Sequence, residues 1–278
     1  MPLRLRPKPS VRNDSEDPES FRMTLIEHLE ELRNRIIKSF VVIVVLWVVG
    51  WYLLPYLYDA LNSRVEDAIK PLLPPDAEYK EAWNTVMAPF MLKFKLSFML
   101  GLTMAFPFLL LELWGFVKPG LKPTERKPLE RMAPLSLVLF AIGITFCWLI
   151  IPATVKWFSS FIAEFPRTVL YQEPGAMVFF TIKMMLAFGL GFQLPLVVYF
   201  LGRVGILEPE TMMQYWRQAT VVIFVFSAVL TPSNDIISML MMAIPLSLLF
   251  MISVWAVRIT TKKKALEANP VAELNALD

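Results

Sequence analysis

Cysteine and histidine are almost missing from this chain, with one of each in 278 residues. The single thiol, Cys147, lies inside an apolar run, which excludes an intrachain disulfide and a thiolate metal cluster. The lone histidine, His28, excludes a histidine pair and any Ser-His or Cys-His arrangement among the apolar segments. No aspartates are paired within those segments, so an intramembrane protease is disfavoured as well. Neither a metal nor a cofactor is expected, and the chain does not read as an enzyme. Charge is scarce, at 18% of residues, and the net +3 is too small to imply a nucleic-acid partner. There is also no internal repeat, which argues against transporters built from two related halves. What is abundant is apolar: 56% of residues, with a mean hydropathy of +0.54. Such a composition belongs to an integral membrane protein.

Apolar runs recur six times, at about 36–56, 90–114, 133–151, 178–201, 217–232 and 236–257. The expected fold is therefore all-α, with six transmembrane helices. Residues 1–22 mix arginines, prolines and acids with no apolar stretch and read as a disordered tail; 23–258 form the membrane domain and 259–278 a polar C-terminal tail. Nothing ahead of residue 23 reads as a cleavable leader, so the first span is expected to serve as the targeting segment. Residues 57–88 read as a polar loop with short helices, and Pro107 is expected to bend the second span. Gly189 and Gly191 in the fourth span permit close helix approach. The fifth run is strongly apolar only from Ala219 to Leu230, and twelve helical residues cover roughly 18 Å of a hydrocarbon core of about 30 Å. Lys93, Lys95 and Lys183 lie at span ends as interface anchors, while Glu112 and Gln193 are further polar groups within spans. The tail through Lys38 and the segments 115–133, 202–218 and 258–278 hold eight, five, two and four Lys and Arg, nineteen in all. The alternate loops hold five. That asymmetry puts both termini in the cytoplasm.

A short acidic helix precedes the first span. Thr24 and Glu27 have the spacing of a capping box, in which each side chain satisfies a backbone N–H at a helix start. Leu25, Leu29, Leu32 and Ile36 form one apolar stripe, with Glu27, Glu30, Glu31 and Asn34 on other faces. This amphipathic helix is expected to lie at the membrane surface. Two readings of its acids stand open: ordinary pairing with Arg33 or Arg35 on the same helix, or presentation of carboxylates to a basic ligand.

The order of five motifs then becomes informative: His28-Leu29-Glu30-Glu31-Leu32-Arg33 before span one; Leu113-Trp114-Gly115-Phe116-Val117-Lys118-Pro119-Gly120-Leu121 after span two; Glu125-Arg126 in the same loop; Phe188-Gly189-Leu190-Gly191-Phe192-Gln193-Leu194-Pro195 in span four; and Leu230-Thr231-Pro232 with Ala243-Ile244-Pro245 around span six. The chain resembles the TatC family, the polytopic subunit of the twin-arginine protein translocase, over about Met23 to Arg258. The resemblance implies a receptor for signal peptides bearing an Arg-Arg pair. It implies a bacterial or archaeal cytoplasmic membrane, assembly with the single-span TatA and TatB proteins and with further copies of itself, and export of folded proteins driven by the proton-motive force. By position, Glu31 and Glu125 match the family's acidic arginine contacts. Leu32, Arg33, Trp114 and Phe116 belong to the same motifs and complete the implied signal-peptide site. Chemistry agrees, since a carboxylate grips the planar fork of a guanidinium with two hydrogen bonds and lysine lacks that geometry. The chain departs from the family in having Gln193 where a glutamate is common and Phe250-Met251-Ile252 where an acid is often found, so no titrating carboxylate is expected at either place. Two rivals remain: a small-solute transporter using Gln193 and Lys183, and a membrane scaffold without receptor activity.

Overall fold

Long helices dominate because the apolar runs contain few glycines and no strand-like alternation. The computed structural model describes residues 25–72, 79–121, 123–165, 170–231 and 235–268. Its elements are α1 (Leu25–Ile69), β1 (Tyr79–Glu81), α2 (Ala88–Val117), α3 (Pro123–Ser160), β2 (Leu170–Gln172), α4 (Ala176–Gly191), α5 (Leu194–Val204), α6 (Pro209–Gln214), α7 (Trp216–Leu230) and α8 (Ile236–Ala268). Among the described residues five helical segments are long and apolar enough to cross a membrane, with α4 and α5 together forming one of them. The helix α7, at 15 residues, is the shorter sixth apolar element. The molecule is thus an all-α polytopic membrane protein, with one minor addition. Strands β1 and β2 pair in parallel, Glu81 opposite Gln172, and tie the loop after α1 to the loop before α4.

Several boundaries differ from expectation, and α3 and α8 both extend beyond their apolar runs. The acidic helix and the first span are one continuous helix, α1, of 45 residues, because neither Gly nor Pro occurs from Leu25 to Val49 to break it. It therefore does not lie as a separate element on a surface. The same helix passes through Pro55 and takes up residues 57–69, which had read as loop. The fourth span is interrupted at Phe192-Gln193, where Pro195, in the first turn of α5, lacks the N–H that would continue α4. Residues 1–24, Thr24 among them, and the second half of the C-terminal tail, 269–278, lie outside the described residues, while 259–268 continue α8.

Helices α1 and α2 are antiparallel neighbours, as Arg35 meets Glu112 near one end and the Trp47 indole N–H donates to Ser97 Oγ, at 3.1 Å, farther along. They touch backbone to backbone midway. A Cβ on Gly101 would lie 2.5 Å from Trp47 Cα, and one on Gly50 would lie 2.7 Å from the Ser97 carbonyl oxygen. The main core joins the second half of α1 to α3, α4 and α8 through Leu61, Cys147, Ile182, Phe188, Met242 and Leu246. Gly189 and Gly191 lie against Phe140 and Leu246, the close approach expected of them. A second cluster, Trp114, Leu129, Met132, Leu196 and Phe200, joins the end of α2 to α3 and α5. Outward, α1 exposes Ile37, Phe40, Val41, Val44, Val45 and Val48 in an unbroken apolar surface. Only lipid covers such a surface without a large penalty, and the helix satisfies its own backbone polar groups there.

Candidate functional site

The acids singled out in the sequence meet a partner from a distant part of the chain. Arg35, on α1, donates from Nε (2.9 Å) and Nη2 (2.6 Å) to one oxygen of Glu31, the i,i+4 partner on its own helix. Its third nitrogen, Nη1, donates to Glu112 Oε2 at 2.7 Å and to the Glu112 carbonyl at 3.3 Å. Two carboxylates thus share one guanidinium, and the cluster carries one negative charge in excess. All three side chains are well shielded, with 20 to 30% of each accessible. The second oxygen of Glu31, Oε2, is buried and has no hydrogen-bond partner among the described residues. Leaving such an acceptor unpaired costs on the order of 1 to 3 kcal/mol, a cost that a further donor removes if the Glu31 side chain turns to meet it.

Gly115 makes room for this arrangement. A Cβ there would run into the Arg35 guanidinium, with Cζ and Nη2 both at 2.8 Å. Beside the cluster a groove of about 360 Å³ runs between α1 and α2, lined by Leu32, Ile36, Phe40, Leu109, Leu113 and Phe116 with Arg35 and Glu112 at its edge. An apolar trough therefore adjoins an acidic end, the polarity expected for a ligand that is basic first and apolar after.

The other residues named from the sequence fall into place around this centre or away from it. Leu32 and Phe116 line the groove, and Phe116 also stacks on His28 with ring centroids 4.4 Å apart. Arg33 points outward and meets Glu30 at 3.8 Å, both side chains exposed. Trp114 is not in the groove: it is buried in the second core cluster, edge-on to Phe200 at 5.7 Å. Glu125 is the third residue of α3, and its side chain lies outside the described residues. Gln193 is buried and donates from Nε2 to the carbonyls of Ser136 (3.1 Å) and Gly189 (3.3 Å), so it ties the α4–α5 interruption to α3. Lys183, half-buried on α4, makes no ion pair among the described residues. Lys93 and Lys95 lie over the rings of Trp51 and Phe179. Glu112 had read as a snorkelling charge or as the partner of a basic loop residue; it is the second acid of the cluster, and its basic partner lies on α1. Its pairing with Arg35 spans 77 residues, and only its place one residue before the Leu113-Trp114-Gly115 motif hinted at it.

Comparison with known proteins identifies the family of the chain and matches its fold. The family model for TatC, the Sec-independent protein translocase protein, matches residues 27–245. A Sec-independent protein translocase protein TatC from Carboxydothermus hydrogenoformans is 34% identical over 244 residues, covering 87% of this chain and 96% of the relative. The Aquifex aeolicus protein of that name is 28% identical, covering 87% and 98%. A crystal structure of the twin-arginine translocase receptor TatC superposes with a TM-score of 0.71 at 27% identity, covering 84% of this chain and 99% of that one.

Proposed function

The chain belongs to the TatC family of Sec-independent protein translocase proteins, and from that premise we propose that the Glu31–Arg35–Glu112 cluster receives the arginine pair of a signal peptide. The observation that carries this is the unpaired, buried Oε2 of Glu31 beside an excess negative charge. A turn of the Glu31 side chain brings that oxygen to an incoming guanidinium while Arg35 keeps Glu31 and Glu112 together. Charge-assisted hydrogen bonds of this kind contribute about 1.5 to 3 kcal/mol each. The apolar part of the peptide follows into the groove lined by Leu32 and Phe116. Glu125 supplies a second carboxylate for the neighbouring arginine from the first turn of α3, a position where the helix N-terminus favours negative charge. Trp114 and Gln193 hold the helices that carry these groups and do not touch the ligand. Both termini and the cluster face the cytoplasm by the lysine and arginine asymmetry. In this reading the chain works with the single-span TatA and TatB proteins and further copies of itself. Together they pass folded cargo through the bacterial or archaeal cytoplasmic membrane at the expense of the proton-motive force.

Photo-crosslinkers at Leu32 and Phe116 test the site directly. Peptides with Arg-Arg are expected to label both positions, and Lys-Lys peptides to label them several-fold less. Glu31→Lys and Glu125→Lys should each abolish the difference while the protein remains folded. Equal labelling by the two peptides would reduce the chain to a scaffold.

A further inference from the structure

A second charged station lies at the opposite end of the α1–α2 pair. From Arg35 to Asp59 the helix advances 24 residues, about 36 Å at 1.5 Å per residue, and from Glu112 back to Lys93 it retreats 19 residues, about 28 Å. Both lengths match a hydrocarbon core of about 30 Å, so this station lies at the far interface of the bilayer. It is a cavity of about 560 Å³ between α1, α2 and the paired strands. That volume falls in the range of small-molecule sites.

The lining is graded along the membrane normal. Leu54 and Leu96, nearest the bilayer interior, are buried and apolar, and Leu92 continues the same wall. One turn or more farther out come Asp59 and, from β1, Glu81, which its pairing with Gln172 of β2 brings over the α1–α2 seam. Lys93 enters from α2 with its ammonium 4.6 Å from the centre of the Trp51 ring. The cavity is thus lined by two carboxylates toward its outer end, one ammonium level with the leucine wall, and an apolar floor. A simple anion is repelled by the acids, and a simple cation leaves Lys93 and the leucines unused. A zwitterion with acyl chains fits all three.

We propose that this cavity is a binding site for an amine-bearing phospholipid of the phosphatidylethanolamine type, with Asp59 and Glu81 taking the primary ammonium, Lys93 the phosphate and the leucine wall the start of an acyl chain. A primary ammonium donates three hydrogen bonds to carboxylates, whereas a choline headgroup donates none. The site therefore discriminates between two zwitterionic lipids of equal charge.

Native mass spectrometry of the full chain, released from nanodiscs holding equal amounts of phosphatidylethanolamine, phosphatidylcholine and phosphatidylglycerol, tests this. One phosphatidylethanolamine is expected to be retained at least fivefold over either competitor, and soluble phosphoethanolamine at matched concentration should not displace it. Asp59→Asn with Glu81→Gln should level phosphatidylethanolamine and phosphatidylcholine, and Lys93→Gln should lower retention of both. Equal retention of all three lipids by the unaltered chain means annular contact only and overturns the proposal, as does a preference that survives the acid substitutions. Displacement by phosphoethanolamine, or by a single-span partner with a free amino end, likewise overturns it, because the occupant would then not be a lipid. The comparison among lipids on the unaltered chain needs no variant, so a folding defect cannot obscure the result.

Discussion

Arg35 is the residue on which the acidic cluster turns, and Gly115 is the residue that lets it sit there. Without Arg35 between them, Glu31 and Glu112 are two shielded like charges that repel each other. Gly115→Ala is expected to push the guanidinium off its seat and let the two acids separate. Titration with an Arg-Arg peptide should then show affinity reduced roughly tenfold, equivalent to about 1.4 kcal/mol. The thermal midpoint should move little, because the displaced atoms end a flexible side chain. An unchanged affinity would mean that the position of Arg35 has no bearing on the ligand. At this scale half of the site was legible. Glu31 and Arg35 stand four apart on a helix, a spacing that pairs side chains, and the structure shows that local pairing. Glu112 was not legible, since nothing local links it to residues 77 positions away.

Among elements, the α1–α2 seam bears most directly on the groove, because both of its walls come from that pair. The seam closes on Gly50 and Gly101, where the facing atoms are backbone and cannot swing aside. Gly101→Ala forces the helices apart, and overpacking of this sort costs typically 1 to 3 kcal/mol. Melting in detergent should record a clear loss of stability for Gly101→Ala and none for Gly120→Ala, whose added Cβ meets nothing within 4 Å. Equal midpoints for the two variants would show that the seam tolerates separation. Helical segments were legible here because an apolar run of spanning length in lipid has few alternatives to a helix. The merger of the acidic helix with the first span was not, since a change from amphipathic to wholly apolar patterning marks a change of surroundings and not a break in the backbone.

For the molecule as a whole, the unequal lengths of the helices have a mechanical consequence. The helix α7 covers about 22 Å at 1.5 Å per residue, while its neighbour α8 is 33 residues long. Val221, Val222, Val225 and Val229 of α7 are exposed and require apolar surroundings over that short height alone. A bilayer meeting so short a helix thins beside it, at a modest cost per ångström of mismatch. Spin labels along α7 are expected to report a hydrocarbon layer several ångströms thinner than labels along the outward face of α1. Equal depth profiles on the two faces would remove the idea that cargo passes through a thinned region beside α7.

The chain's class, its number of apolar helices and its family all followed from sequence alone, because lipid imposes the same demand on every spanning segment and the motifs lie in contiguous stretches. Tertiary structure decided the partnership of Glu112 with Arg35, the exclusion of Trp114 from the groove and the cavity shared by Asp59, Glu81 and Lys93. Each depends on which helix lies beside which and in what register. That is settled by backbone contacts such as Gly50 on Ser97, between residues the chain itself keeps far apart.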